Sequence, residues 1–286
     1  MIQHLEHKEI DFNLWDACIE KSGVGLPYAF SWYLNVVCES WSGLVYGNYD
    51  AVMPLPYKRK LGIRYVYQPF FTQQLGVYGN SGTLIFLDSI PTKFKKIHTL
   101  INYTCKEVHP QLLSQTNLVL DLKSENIFKN FSNNCKRNIK KAEQFNLKIK
   151  DCNFKDLIQI FRKNKGKGIK HLKEKNYSTL ESLILKFSER DMLHSLGVYS
   201  NSDQLLGGVI LLQYKKRIIF FFSALNEEGK NLMAMFYLLD FIIQNKNNDF
   251  DLLDFEGSNN EDLARFYKGF GANEQNYFSY KRKLKL

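Results

Sequence analysis

Three strand-length apolar segments lie close together at residues 193–199, 205–213 and 217–224. Only short polar turns separate them, at residues 201–203 and 215–216. Apolar segments of this length between turn residues predict β-strands, and short connections predict antiparallel neighbours. The second half of the chain is therefore expected to contain a three-stranded antiparallel meander.

The elements around this meander predict a mixed fold. A helix is expected at residues 231–245, then a strand at 252–256, a helix at 261–267 and a strand at 277–283. Before the meander, the pattern predicts further elements, namely a strand at 117–122, a long helix at 125–145 capped by Ser124, and helices at 154–164 and 177–190. We therefore expect an α/β protein (α+β, with mixed sheets).

The first half has a similar order of elements. Helices are expected at residues 12–21 and 30–39, followed by strands and by a helix at 92–106 that starts after Pro91. A chain of 286 residues is long enough for two ordinary domains. We predict domains at residues 1–122 and 123–286, bridged by the helix at 125–145.

Composition excludes several classes of protein. The chain is 44% hydrophobic with 22 Phe and 16 Tyr, so it can build a core. No apolar run approaches the ~20 residues of a membrane span, and the polar N-terminus is unlike a secretory signal, so a cytoplasmic protein is expected. Five scattered cysteines without a CxxC pair predict reduced thiols and no metal site.

The formal net charge of +10 raises the question of an anionic partner. Much of the excess comes from basic residues at 136–141 and from lysines at 163–175. A solvated lysine-rich face is the simpler interpretation. An anionic small substrate or a tRNA-like one is also compatible, whereas no motif for direct nucleic-acid reading occurs. The sequence does not indicate the oligomeric state.

Charged residues surround the predicted strand and helix near the C-terminus. Glu256 follows a strand and is a candidate general base, with Asp254 two residues before it. Arg265 and Lys268 are three apart on a predicted helix, so they share a face that could bind a carboxylate or phosphate. Tyr267 could donate a proton to a leaving group. Because no nucleophile motif occurs, direct transfer between two bound substrates is favoured over covalent catalysis.

The loop after the third meander strand is a candidate donor-binding site. Amide groups at a helix N-terminus suit an anion or a pyrophosphate. Against this, Glu227 and Glu228 place negative charge in the loop, so an acidic helix start is an equally good interpretation. The candidate donor-binding residues are Ser223, Leu225, Gly229, Lys230 and Asn231.

A polar and aromatic segment in the first half could line a substrate groove. Gln68, Gln73 and Tyr67 are the candidate substrate-binding residues of residues 67–76. An ordinary aromatic sheet edge is the competing interpretation.

Four segments in the same order resemble the FemABX-type transferases. They are Asn-Leu-Val-Leu-Asp-Leu at 117–122, residues 131–143 with Arg-Asn-Ile-Lys-Lys-Ala at 137–142, Asp-Phe-Glu-Gly-Ser at 254–258, and Arg-Phe-Tyr-Lys-Gly-Phe-Gly at 265–271. The resemblance implies two tandem GNAT-like domains. It also implies that Arg265, Phe266 and Lys268 border the transfer site. Family members usually carry a lysine directly after the Arg-Phe pair, where this chain has Tyr267.

The resemblance implies an acyltransferase that moves an acyl group from acyl-CoA, used as a co-substrate, to a small-molecule or peptide-like amine held between the domains. Glu256, Tyr267 and Lys268 are the expected catalytic residues, with no tightly bound cofactor. Two alternatives stay open. One is an aminoacyl-tRNA-dependent transferase acting on a peptidoglycan precursor, and the other is an inactive binding protein with the same fold.

Overall fold

A computed structural model of the chain describes residues 1–246, 249–256 and 259–283. The strands of these residues are β1 (Ile2–Glu6), β2 (Trp41–Tyr46), β3 (Ala51–Lys60), β4 (Ile63–Val66), β5 (Tyr78–Gly79), β6 (Phe94–Ile101), β7 (Leu112–Gln115), β8 (Leu118–Asp121), β9 (Lys148–Asp151), β10 (Leu193–Tyr199), β11 (Leu205–Tyr214), β12 (Arg217–Leu225), β13 (Leu252–Asp254), β14 (Asn273–Glu274) and β15 (Tyr277–Lys283). The helices are α1 (Phe12–Lys21), α2 (Ser31–Val37), α3 (Thr83–Asp88), α4 (Asn133–Glu143), α5 (Phe154–Lys163), α6 (Glu174–Ser188), α7 (Glu227–Asn231), α8 (Ala234–Lys246) and α9 (Glu261–Gly269). Short 3-10 turns occupy His7–Glu9, Ile127–Asn130 and Lys165–Gly168.

The chain divides into two compact units, here called unit 1 (Met1–Thr116 with Gln275–Leu286) and unit 2 (Asn117–Glu274). This division differs from the expected one in two places. Residues 117–122, which include β8, lie in unit 2, and β15 pairs with β6 and β7 of unit 1. A strand pairs with its neighbours through backbone hydrogen bonds, so its side chains alone do not predict which strand it will pair with.

Unit 1 contains one sheet with the strand order β1-β2-β3-β4-β6-β15-β7, and β5 pairs with β3. Its core holds large buried side chains such as Leu55, Phe86, Phe94 and Ile101. The helix expected at residues 92–106 is wrong, because most of this segment forms β6. Ile97, Thr99 and Ile101 are buried in alternation, which is the period of a strand rather than of a helix.

Unit 2 contains a sheet with the order β14-β8-β13-β12-β11-β10-β9. The predicted meander is confirmed, because β10, β11 and β12 pair in antiparallel order. In the middle of the sheet, β12 is apolar along most of its length, as expected of a strand covered on both faces. On its other side, β12 pairs in parallel with β13.

The two faces of this sheet are covered by different helices. The core on one face includes the buried residues of α4, α8 and α9. On the other side, α5 packs on β11 and β12 and α6 packs on β10. The helix expected from residue 125 starts later, at Asn133. Its cap is Ser132 rather than Ser124, and the Ser132 hydroxyl accepts a hydrogen bond from the Cys135 amide at 3.1 Å.

Within the described residues, no helix is both long and apolar enough to cross a membrane.

Candidate active site

A cleft begins in unit 2 where β12 and β13 stop pairing. The two parallel strands pair only from Arg217 to Ile219 on β12, against Leu252–Asp254. β12 then continues to Leu225, while β13 ends at Asp254. In the part of the chain that the structure describes, no strand pairs with the end of β12 on this side. The end of β12 therefore presents an open edge to the cleft.

Two backbone amides of β12 point toward this open edge, because the amides along a strand alternate in direction. The Asn226 amide donates to the Leu206 carbonyl oxygen at 2.9 Å, so it points toward β11. Successive amides of a strand point to opposite edges. The amides of Leu225 and Ser223 therefore point away from β11, toward the open edge. A bulge at Phe221 shifts the register before this stretch.

This cleft, here called the donor cleft after the predicted donor-binding residues in its wall, has a volume of about 600 Å³ and lies between β12, α5, α7, α8 and α9. It brings together three of the five candidate donor-binding residues, Ser223, Leu225 and Lys230, with Phe266 and Tyr267 of α9. The first three residues lie at least 36 positions before Phe266 in the chain. The wall also includes further apolar and basic side chains, namely Phe161, Lys163, Lys165, Phe220, Met235 and Leu263.

The donor loop itself forms the short helix α7. The side chain of Asn226 accepts a hydrogen bond from the Gly229 amide at 2.7 Å, so that amide is already used. Lys230 pairs with Glu227 at 2.6 Å, and Asn231 is the last, exposed residue of α7. The structure therefore does not offer the Gly229 amide to a ligand.

Gly229 instead allows close packing of α7 on β11. A Cβ atom at this position would lie 2.9 Å from the Leu206 carbonyl oxygen and 2.9 Å from a methyl group of Leu225. We expect Gly229→Ala to lower the free energy of unfolding by about 1–3 kcal/mol, because overpacking forces the helix to move. Urea unfolding measures this change. Lys230→Ala on the exposed side of the same helix is the control, and an equal loss in both variants would contradict the packing argument.

Tyr267 lies at the inner wall of the cleft. Its ring stacks on Phe255 with centroids 4.3 Å apart and meets Phe220 edge-on at 6.0 Å. Burial raises the pKa of the Tyr267 hydroxyl above its ordinary value, and the nearby Glu256 carboxylate raises it further. The phenol is therefore neutral at neutral pH.

Glu256 and Asp254 have different environments. Asp254 is fully buried and accepts hydrogen bonds from Arg217 at 2.5 Å, Asn117 at 2.8 Å and the Glu256 amide at 3.0 Å. Glu256 is half-buried and has a left-handed backbone with φ of 48°. Asp254 thus anchors β13 to β12 and β8, whereas Glu256 is the more accessible carboxylate. Gly257 and Ser258 lie outside the described residues.

The other candidate residues of α9 line a second cleft, which has a volume of about 780 Å³. It lies between α4 and α9 and is lined by Arg265, Lys268 and one side of Phe266. Arg265 is 80% exposed and lies 3.7 Å from Asp262, and Lys268 pairs with Glu274 at 2.7 Å. The structure therefore places Phe266 and Tyr267 at the donor cleft, but turns Arg265 and Lys268 to the opposite side of α9.

Cys135 lines the second cleft, and its buried thiol should make the stability of unit 2 depend on pH in the alkaline range. Burial raises the pKa of its thiol from 9.0 to about 12. Because the folded-state pKa is the higher one, unfolded chains ionise first, and stability falls as pH rises from 9 toward 12. The expected slope from this group is about 1.4 kcal/mol per pH unit at most. Urea unfolding across this range should show a shallower slope for Cys135→Ala, and equal slopes would contradict the assignment.

The candidate substrate residues of unit 1 have mainly structural contacts. Gln68 donates to the Thr72 carbonyl oxygen at 2.8 Å and accepts from the Leu100 amide at 3.0 Å, so it fixes its own loop. Gln73 accepts from Gln74 at 2.8 Å. The ring of Tyr67 lies 4.6 Å below the Lys58 ammonium group. Their predicted role in substrate binding stays a prediction.

Lys163 and Lys165 are cleft residues that sequence reasoning did not select. They belong to a lysine-rich segment whose sequence favours a solvated face, and only the packing of α5 on β12 brings these two to the donor cleft. The alternation of lysine and glycine at residues 165–168 is the one sequence signal at this place. Across the described ranges, no group of three or more His, Cys, Asp or Glu side chains could hold a metal ion.

Comparison with known proteins identifies the fold. No family model matches the sequence, and no curated protein matches it. Solved structures do match over nearly the whole chain. FemX has a TM-score of 0.67 at 11% identity, covering 96% of each chain. A tandem GNAT protein from the clavulanic acid biosynthesis pathway has a TM-score of 0.56 at 8% identity, covering 98% of each chain.

A third likeness is to L-PGS from Bacillus licheniformis, with a TM-score of 0.52 at 10% identity, covering 94% of this chain and 90% of that one. Identities this low show the fold and leave substrates open. The predicted α/β class and the resemblance to FemABX-type proteins are confirmed at this level. The chain has the tandem-GNAT fold that FemX and the clavulanic acid pathway protein share.

Proposed function

We propose that unit 2 transfers an acyl group from an acyl-CoA thioester to an amine. The observation that carries this proposal is the open edge of β12, where the amides of Ser223 and Leu225 point into a cleft with apolar walls. Backbone amides held in this way stabilise the oxyanion that forms when a carbonyl is attacked.

Tyr267 in the cleft wall and the nearby Glu256 carboxylate fit the steps of such a transfer. The amine nitrogen attacks the thioester carbonyl carbon, a C–N bond forms, and the C–S bond breaks. The thiolate leaves and takes the phenolic proton of Tyr267, and Glu256 receives the proton of the attacking amine and returns it to Tyr267. Burial and Glu256 both raise the pKa of Tyr267, so the phenol holds a proton before transfer, and the tyrosinate formed would readily take a proton back from Glu256.

The basic rim of the cleft supports an anionic donor such as CoA. Lys163 and Lys165 line the cleft, and the third lysine, Lys230, is already paired with Glu227. The acidic α7 loop is a poor phosphate site, so the lysines of α5 and the following turn take that role in the proposal.

A panel of acyl-CoA thioesters tests this function through release of free thiol in the presence of candidate amines. Binding alone is measured by the thermal shift on addition of CoA, because a ligand that binds the folded state raises its melting temperature. Lys163→Gln with Lys165→Gln should weaken CoA binding about tenfold or more. Lys167→Gln with Lys170→Gln, in the same segment but outside the cleft, should leave binding unchanged. Stabilisation by charged tRNA and not by CoA would contradict the proposal.

A further inference from the structure

The hairpin between β3 and β4 ends in an exposed leucine in an unfavourable conformation. Leu61 and Gly62 form the two-residue turn, with φ of 48° and 78°. Two positive φ angles in a hairpin turn favour Asn, Asp and Gly, and an ordinary side chain costs conformational energy there. Leu61 is also 93% exposed. The sequence thus keeps an apolar residue where both backbone conformation and solvation favour a polar one.

Four lysines surround this hairpin tip. Lys60, Lys95, Lys96 and Lys283 line a pocket of about 460 Å³ together with three residues of the hairpin, Leu61, Ile63 and Tyr65. No acidic side chain occurs in this lining. Within residues 1–246, 249–256 and 259–283, none of the four lysines forms an ion pair. Their charge is therefore not neutralised by the described part of the chain.

Strand register explains how these lysines meet. Lys283 of β15 lies opposite Lys96 of β6, and Lys96 is aligned with Tyr65 of β4. Like charges on directly opposite strand positions are destabilising. The pKa of His98, two residues after Lys96, is lowered by burial and then by Lys281 and Lys96, so the positive potential extends along the sheet. This repulsion is not offset by a carboxylate in the lining of the pocket.

We propose that this surface, here called the hairpin patch (Lys60, Leu61, Ile63, Lys95, Lys96 and Lys283), docks unit 1 on an anionic lipid bilayer. The lysines contact lipid phosphates, and Leu61 enters the interface between headgroups and acyl chains. An exposed apolar tip beside lysines that have no ion-pair partner among the described residues fits a bilayer better than a nucleic acid. A nucleic-acid surface would present free aromatic faces, whereas Tyr67 is covered by Lys58 and packs on Tyr65 at 6.4 Å.

Vesicle sedimentation of the 286-residue chain tests this docking independently of any transferase activity. The chain should bind vesicles of mixed phosphatidylglycerol and phosphatidylcholine, should not bind phosphatidylcholine alone, and should bind less as salt is raised. Replacing Lys60, Lys96 and Lys283 by glutamine should weaken binding about 100-fold, since each lysine near an anionic surface contributes roughly a fivefold factor. The charge-matched control replaces Lys129, Lys140 and Lys141, which are exposed lysines of unit 2.

Leu61→Asn tests the apolar contribution without straining the turn, because asparagine accepts the left-handed conformation. It should weaken vesicle binding about tenfold. Val108→Asn, at another exposed apolar residue of unit 1, is its control. Equal binding to both kinds of vesicle, equal loss in the two lysine triples, or binding of single-stranded RNA without binding of vesicles would each overturn the proposal.

Discussion

Asp254→Ala is expected to lower the free energy of unfolding of unit 2 by about 3–5 kcal/mol. The carboxylate is fully buried and pairs with the buried guanidinium group of Arg217 at 2.5 Å. Removing one member of a buried ion pair leaves the other charge in a poorly solvated environment, and this costs far more than the loss of a surface pair. Urea unfolding followed by circular dichroism measures the change. Hydrogen exchange in β12 and β13 assigns it to unit 2.

Two further variants separate this effect from a general loss of charge. Asp251→Ala removes a carboxylate whose partner, Lys123, is 67% exposed, so it should cost less than about 1 kcal/mol. The double variant Arg217→Met with Asp254→Leu replaces both charges by apolar groups, and it should recover most of the lost stability. An Asp254→Ala protein as stable as Asp251→Ala would show that the ion pair does not hold the two strands together.

Tyr267→Phe is expected to lower turnover about 100-fold while leaving the fold intact. Phenylalanine keeps the stacking on Phe255 and removes only the hydroxyl group that, in the proposed transfer, protonates the leaving thiolate. The KM for the acyl donor should change little, because the hydroxyl acts on the leaving sulfur and not in donor binding. Steady-state kinetics of thiol release give both constants, once an accepted amine is known.

Tyr177→Phe is the matched control for this prediction. Tyr177 is another buried tyrosine of unit 2, and it lies outside the donor cleft. It should keep full turnover. If Tyr267→Phe also kept full turnover, Tyr267 would be a packing residue, and the leaving group would have to take its proton from another donor.

Much of the local structure of unit 2 follows from the sequence. The alternation of apolar segments and polar turns predicts β10, β11 and β12, and the structure confirms them as an antiparallel meander. In unit 1 the sequence pattern predicts a helix at residues 92–106, whereas most of this segment forms β6. A proline followed by lysines there is consistent with a helix start, but burial on alternate residues is decided by the neighbouring strands β4 and β15.

The candidate site shows the same limit. Sequence spacing places Arg265, Phe266, Tyr267 and Lys268 on one short helix, which is confirmed. It does not predict which of them faces the donor cleft, because the rotation of α9 is set by the packing of Phe266 and Tyr267 against Phe236, Phe255 and Phe220. The two cations are thereby left on the other side of the helix.

The sequence by itself determined the fold class, the meander, and the short helix that carries Tyr267. Patterns of this kind are local, because they depend on the period of apolar residues and on turn chemistry. Only the tertiary structure decided that Asp254 is a buried anchor, that Lys163 and Lys165 reach the donor cleft, and that Lys283 joins Lys96. These contacts join residues distant in the chain, and they depend on which strand edges and helix faces meet in the folded sheet.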